Sequence, residues 1–191
     1  MPKVSVITVS YQAADCISYT IKSVLSQSYP HIEYIIVDGA SKDGTIAIIE
    51  QYRAKIAHYL SEPDKGIYDA MNKGLQLATG DYVLFMNAGD EFYDSETVAN
   101  TFKTAPYADI YYGQTRLIHA DRTDAGERWH IAPEQLDWQS FKNGMLVCHQ
   151  AIFIRRAIVA PYDLKYRFSG DIDWIIICLK KAKTVVYTQS Y

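Results

Sequence analysis

Residues 62–92 open with Glu62-Pro63-Asp64-Lys65-Gly66-Ile67-Tyr68-Asp69-Ala70-Met71-Asn72-Lys73-Gly74. After Ala78-Thr79-Gly80-Asp81-Tyr82 the apolar run Val83-Leu84-Phe85-Met86 ends in Asn87-Ala88-Gly89-Asp90-Glu91-Phe92. The first part has the spacing of an amphipathic helix over residues 66–78, with Ile67, Ala70, Met71, Leu75 and Ala78 on its apolar face. The second reads as a buried strand over 81–86 that delivers a polar, glycine-containing acidic turn at its C-terminal end. Open α/β sheets place ligand chemistry at such ends, and this turn suits a metal and a diphosphate.

Working outward, the same unit recurs. Val4 to Val9 is a β-branched run without helical period, the pattern of a strand buried on both faces. Asp15 is expected to cap a helix carrying Ile17, Ile21, Val24 and Leu25, which Tyr29-Pro30 stops. A second buried strand covers 32–37 and ends in Asp38-Gly39-Ala40-Ser41-Lys42-Asp43-Gly44, after which Thr45 starts a helix. This βαβα order calls for a parallel sheet with right-handed crossovers. A short strand is expected at 57–61 and a helix at 95–104 capped by Ser95. Beyond Pro106 the pattern loosens. Residues 110–119 and 128–131 read as a hairpin around a polar turn at 121–126, and 133–141 as a helix. Strands are expected at 151–154 and 184–187, with a helix at 171–181 between them. One domain is expected, with a nucleotide-binding α/β layer over 1–105 and an α+β half over 106–191.

Composition narrows the function. With 19 Lys+Arg against 22 Asp+Glu and a net charge of −3, the chain lacks the basic field of a nucleic-acid binder. No stretch approaches the roughly 18 apolar residues of a membrane span, and no signal peptide is recognised at the N-terminus, so a cytoplasmic protein is expected. Cys16, Cys148 and Cys178 are far apart and form no C-x-x-C pair, and the five histidines show no H-x-x-x-H spacing. Neither a disulfide framework nor a zinc site is indicated.

Acidic groups follow three apolar strands: Ser10-Tyr11 with Asp15, then Asp38, then Asp90. In parallel strands these turns share one sheet edge, and Asp64 lies in a neighbouring loop. The segments 4–11, 35–45, 69–74, 78–82 and 87–90, together with His149-Gln150 and Gly170-Asp171-Ile172-Asp173, closely resemble the family 2 glycosyltransferases. The resemblance runs in family order over nearly the whole chain. It implies a GT-A-type α/β/α sandwich with a mostly parallel central sheet. It also implies inverting transfer of a sugar from a nucleotide donor to a glycan or lipid-linked acceptor in cell-envelope or capsular polysaccharide synthesis.

The resemblance also assigns roles. Ser10, Tyr11, Asp38, Asp64, Asn72 and Asn87 fall at the nucleotide. Asp38 is expected to accept a hydrogen bond from the base, and a carboxylate suits the uracil imide, hence a UDP-sugar. Asp90 matches the last acid of the family's Asp-x-Asp-Asp turn, which holds Mg²⁺ or Mn²⁺. Asn87 and Gly89 stand where most relatives have aspartates, which weakens the expected metal affinity and leaves Gly89 open to a simpler role as a turn former. Asp171 is expected to be the general base, with Asp173 as second choice. His149, Gln150 and Trp174 are placed on the acceptor side, Trp174 having a core position as its other reading. Lys180, Lys181 and Lys183 suit either the helix dipole or contact with anionic lipid at the inner face of the membrane. Family members usually continue with further helices past the position of Tyr191, so a C-terminally shortened domain is expected. The eroded acidic turn motivates an alternative: a nucleotide-binding subunit with little or no transferase activity.

Overall fold

The computed structural model describes residues 1–191, the side chain of Asn143 excepted. The chain starts with β1 (Val4–Ser10), α1 (Ile17–Leu25), β2 (Ile32–Asp38), α2 (Thr45–Glu50) and β3 (His58–Ser61). It continues with α3 (Ile67–Leu77), β4 (Tyr82–Phe85), α4 (Thr97–Thr104) and β5 (Ile110–Tyr112). A hairpin of β6 (Arg116–Ile118) and β7 (Asp124–Glu127) is followed by β8 (Ile152–Arg155), α5 (Gly170–Lys181) and β9 (Val185–Tyr187).

Seven strands form one sheet in the order β3-β2-β1-β4-β8-β5-β9, and β6 and β7 pair separately. Within the seven-stranded sheet only β8 runs against its neighbours, antiparallel to both β4 and β5. The chain winds from β1 outward to β3, then returns to place β4 on the other side of β1. That reversal makes the C-terminal ends of β1 and β4 the switch point of the sheet, where two loops diverge and leave a crevice.

Alternation along the strands sorts the core into two layers. Ile7, Val9, Ile35, Val37, Val83 and Phe85 face α3 and α5 through Ala70, Met71, Trp174 and Ile175. Val4, Val6, Tyr34, Ile36, Tyr82 and Leu84 face α1, α2 and α4 through Ile17, Ile21, Ile49 and Val98. Both faces of β1 and β2 are therefore apolar, as a parallel sheet covered on each side requires. Gly74 lets α3 approach the sheet closely, because a Cβ there would collide with Cγ2 of Ile7.

Several local expectations are corrected. Asp15 does not cap α1; Cys16 holds that position, and its N–H and that of Ile17 both bond to the Ala13 carbonyl. At α4 it is Asp94, not Ser95, that accepts from the Glu96 N–H and the Thr97 hydroxyl. Residues 110–112 join the main sheet as β5, so the hairpin is shorter than expected and 128–131 form no strand. In place of a helix over 133–141 there is a 3-10 turn, Trp138–Asn143, started by an Asp137 capping box.

Candidate functional site

The register aligns polar groups across the sheet edge. Ser10 pairs with Asp38, and Asp38 with Ser61. The fully buried Asp38 carboxylate accepts from Ser10 Oγ at 3.0 Å and Ser41 Oγ at 2.6 Å on one oxygen. Its other oxygen accepts from the Ser41 N–H at 2.8 Å and Ser61 Oγ at 2.9 Å. A carboxylate offers about four lone-pair sites, so a base imide at Asp38 would have to displace one of these donors. Asp38 thus ties three strand ends and the following loop together.

Tyr11 is 66% exposed. Its ring and the Asp64 carboxylate close over Gly39, where a Cβ would lie 2.6 Å from Asp64 Oδ2 and 3.2 Å from the Tyr11 ring. Asp64 Oδ1 takes the Gly66 N–H at 2.8 Å, which fixes the loop entering α3. Gln12 and Ala40 flank this corner with φ of 50° and 58°. Strained backbone of this kind, about 1 kcal/mol or more per residue, concentrates at functional sites.

The acidic turn after β4 is held by α1 and by the hairpin. Thr20 Oγ1 accepts from the Gly89 N–H at 2.9 Å, and Ser23 Oγ from the Phe92 N–H at 2.7 Å. Arg122, at the hairpin tip, donates to the Gly89 carbonyl and to Glu91, both at 2.9 Å, and stacks over Tyr19. Gly89 has φ of +103°, a conformation that disfavours any side chain. It is here a turn former, which accounts for the missing aspartate. Asp90 is partly buried, and burial pushes its carboxyl up while Gln150 and the Arg122 charge pull it back. The Asn87 Oδ1 is buried with no partner.

Two cavities adjoin at this turn. One, of about 710 Å³, is lined in part by Asp90, Arg122, Arg128 and Gln150. The other, of about 200 Å³, brings together Asn87, Tyr68, Arg128, His149, Gln150 and Asp171. Asp171 stands in the first turn of α5, which follows Ser169 at φ 58°. Asp173 is not among the lining residues, since two positions along a helix point to different sides.

Three expected site residues have other work. Both atoms of the Asn72 amide are spent on the backbone of Tyr162, donating to its carbonyl at 3.0 Å and accepting from its N–H at 2.7 Å. Asn72 straps the 160s segment to α3. Trp174 is 1% exposed, stacks on Tyr162 and donates to the Ala160 carbonyl, so it belongs to the core. His149 touches the smaller cavity but is otherwise buried, stacked on Phe85 with Nε2 2.5 Å from the Tyr162 hydroxyl. Burial pulls its imidazole down to about 4 against the Asp171 charge, so it is a neutral wall.

Among the described residues no three acidic, histidine or cysteine side chains gather as a metal cluster. Among the described residues no helix is long and apolar enough to cross a membrane. Sequence reading missed Tyr68, Arg122 and Arg128, all of which touch these cavities or the turn. Tyr68 lies inside the quoted helix, but no spacing signals that it meets a residue 103 positions away.

The chain is 47% identical over 188 residues to the putative teichuronic acid biosynthesis glycosyltransferase TuaG of Bacillus subtilis, covering 96% of this chain and 74% of that protein. It is 34% identical over 185 residues to an uncharacterized glycosyltransferase of Mycobacterium tuberculosis, covering 92% and 68%. Its fold matches S. aureus TarS 1-349 in complex with UDP at a TM-score of 0.78 and 20% identity, over 97% of this chain and 57% of that one. It also matches the mannosyltransferase PcManGT of Pyrobaculum calidifontis, in complex with GDP-Man and Mn²⁺, at 0.72 and 18%, over 97% and 54%. The chain thus spans little more than half the length of these solved structures. Residues 5–160 match the family described as Glycosyl transferase family 2, and the chain belongs to that family.

Proposed function

We propose that this chain carries the catalytic site of an inverting glycosyltransferase. It would move a sugar from a nucleotide donor, UDP-linked in our reading, to a glycan or lipid-linked acceptor in envelope polysaccharide synthesis. One observation carries the reading: Asn87 of the acidic turn and Asp171 of α5 line the same cavity of about 200 Å³. A donor diphosphate at the turn and an acceptor hydroxyl at Asp171 could then approach one sugar carbon from opposite sides. The UDP complex of TarS, the GDP-Man complex of the mannosyltransferase and the name of TuaG support a nucleotide-sugar donor and a polysaccharide setting.

In this mechanism Tyr11 and Asp64 form the base end of the donor site, and the buried Asp38 braces the floor beneath it through Ser10, Ser41 and Ser61. Asp171 takes the proton of the acceptor hydroxyl as its oxygen bonds to the anomeric carbon. The bond from that carbon to the diphosphate breaks, and its electron pair leaves with UDP. Asp90 and the unpartnered Asn87 Oδ1 are hard oxygen donors of the kind that would hold a Mg²⁺ or Mn²⁺ ion beside the diphosphate. Such an ion, when bound, neutralises charge on the leaving group. The guanidinium of Arg122 adds fixed positive charge beside Asp90.

Asp171→Asn is expected to keep UDP affinity within about twofold and to lower transfer by a factor on the order of 10² to 10⁴, the usual contribution of a general base. Calorimetry with UDP and a UDP-release assay read the two effects separately. Undiminished turnover would remove Asp171 from the role. Metal-independent UDP binding with no turnover in the unaltered protein would favour the non-catalytic alternative.

A further inference from the structure

Tyr68 projects from α3 toward the first turn of α5. Its hydroxyl lies 3.3 Å from Asp171 Oδ1 and 2.9 Å from the Gly170 backbone nitrogen. An N–H can only donate, so the Gly170 bond occupies a lone pair of the phenol oxygen. The single phenolic proton is left to point at the Asp171 carboxylate. The ring is fixed from behind by stacking on Tyr162 at 5.3 Å between centroids. Gly170 leaves the space the ring needs, since a Cβ there would come within 2.8 Å of Tyr68 Cε2 and 2.9 Å of Cζ.

We propose that Tyr68 is the positioning residue of the general base, holding Asp171 by a donated hydrogen bond so that its second oxygen faces the acceptor. The inference rests on the assignment of Asp171 as base. The donated bond orients the carboxylate, and the phenol also anchors the backbone from which Asp171 projects. Besides Tyr68, the groups facing Asp171 are the neutral His149 and Tyr162 beneath it and Arg128 across the cavity, with Asp173 on its own helix.

The test is Tyr68→Phe, which keeps the ring and removes only the hydroxyl. With UDP-glucose and UDP-N-acetylglucosamine as probes, kcat for UDP release should fall about tenfold while the donor KM stays unchanged. Gly170→Ala, which displaces the ring without removing the phenol, should give the same signature. A thermal-unfolding cycle of Tyr68→Phe, Asp171→Asn and the double variant needs no substrate: coupled groups make the double loss smaller than the sum. An inactive Asp171→Asn beside a Tyr68→Phe variant with unaltered kcat would overturn the role of Tyr68 alone. So would strictly additive losses in the cycle. An active Asp171→Asn would instead remove the base, and the inference with it.

Discussion

At the residue scale, Glu33 shows how far a neighbourhood can set a side chain's chemistry. It sits near the N-terminal edge of the sheet, 4% exposed, and accepts from Lys3 Nζ at 2.6 Å and Ser5 Oγ at 2.5 Å. The Thr79 N–H and hydroxyl add bonds at 2.8 and 2.6 Å. Burial alone would raise its carboxyl; these donors outweigh it and hold the group down at about 2. The folded-state value is thus depressed, so the stability it brings is full above the unfolded value of about 4.3 and lost as pH falls toward 2. Acid titration followed by circular dichroism should show about 3 kcal/mol disappearing across that window, and Glu33→Gln should flatten it. At the opposite edge the bonds to Asp38 hold Ser10, next to Tyr11, and the loop that follows β2. The sequence made Asp38 visible as an acid after a strand, but not its partner Ser61, which only the register of β3 against β2 supplies. The bonds of Asn72 were hidden for the same reason, because both go to a backbone 90 positions away.

At the element scale, close approach of α3 to β1 depends on Gly74. Gly74→Ala is expected to destabilise the protein by about 1 to 3 kcal/mol, the usual range for overpacking a tight contact; denaturant unfolding would register it, and a stability within 0.3 kcal/mol of the parent would show that helix and strand can part without loss. Elements buried on both faces were legible in the sequence, since the runs 4–9, 32–37 and 81–86 are too apolar to lie anywhere else. The second half was harder. β5 is three residues long, and it joins the main sheet only because β8 inserts antiparallel between it and β4. Such an order is set by long-range packing, and local pattern extended residues 110–112 into the hairpin instead. The expected helix over 133–141 failed because Asp137 captures the Gln139 and Ser140 N–H groups and starts a tight turn there.

At the scale of the whole molecule, one sheet runs through both halves of the chain. The first half supplies the switch point and the acidic turn; the second supplies α5 with Asp171, and the hairpin whose Arg122 clasps that turn. The two halves meet at the pair of cavities, and the proposed transfer requires that the loops around them hold a nucleotide diphosphate. Thermal unfolding with UDP, GDP, CDP and dTDP, each with and without Mn²⁺, tests this most directly. Ligand at about 100 times its Kd adds roughly 2.7 kcal/mol, on the order of 5 to 10 °C for a domain of this size. UDP should give a shift of that size, larger with Mn²⁺ than without, and the other three smaller shifts. A folded protein whose unfolding temperature moves with none of them would contradict the proposed transfer.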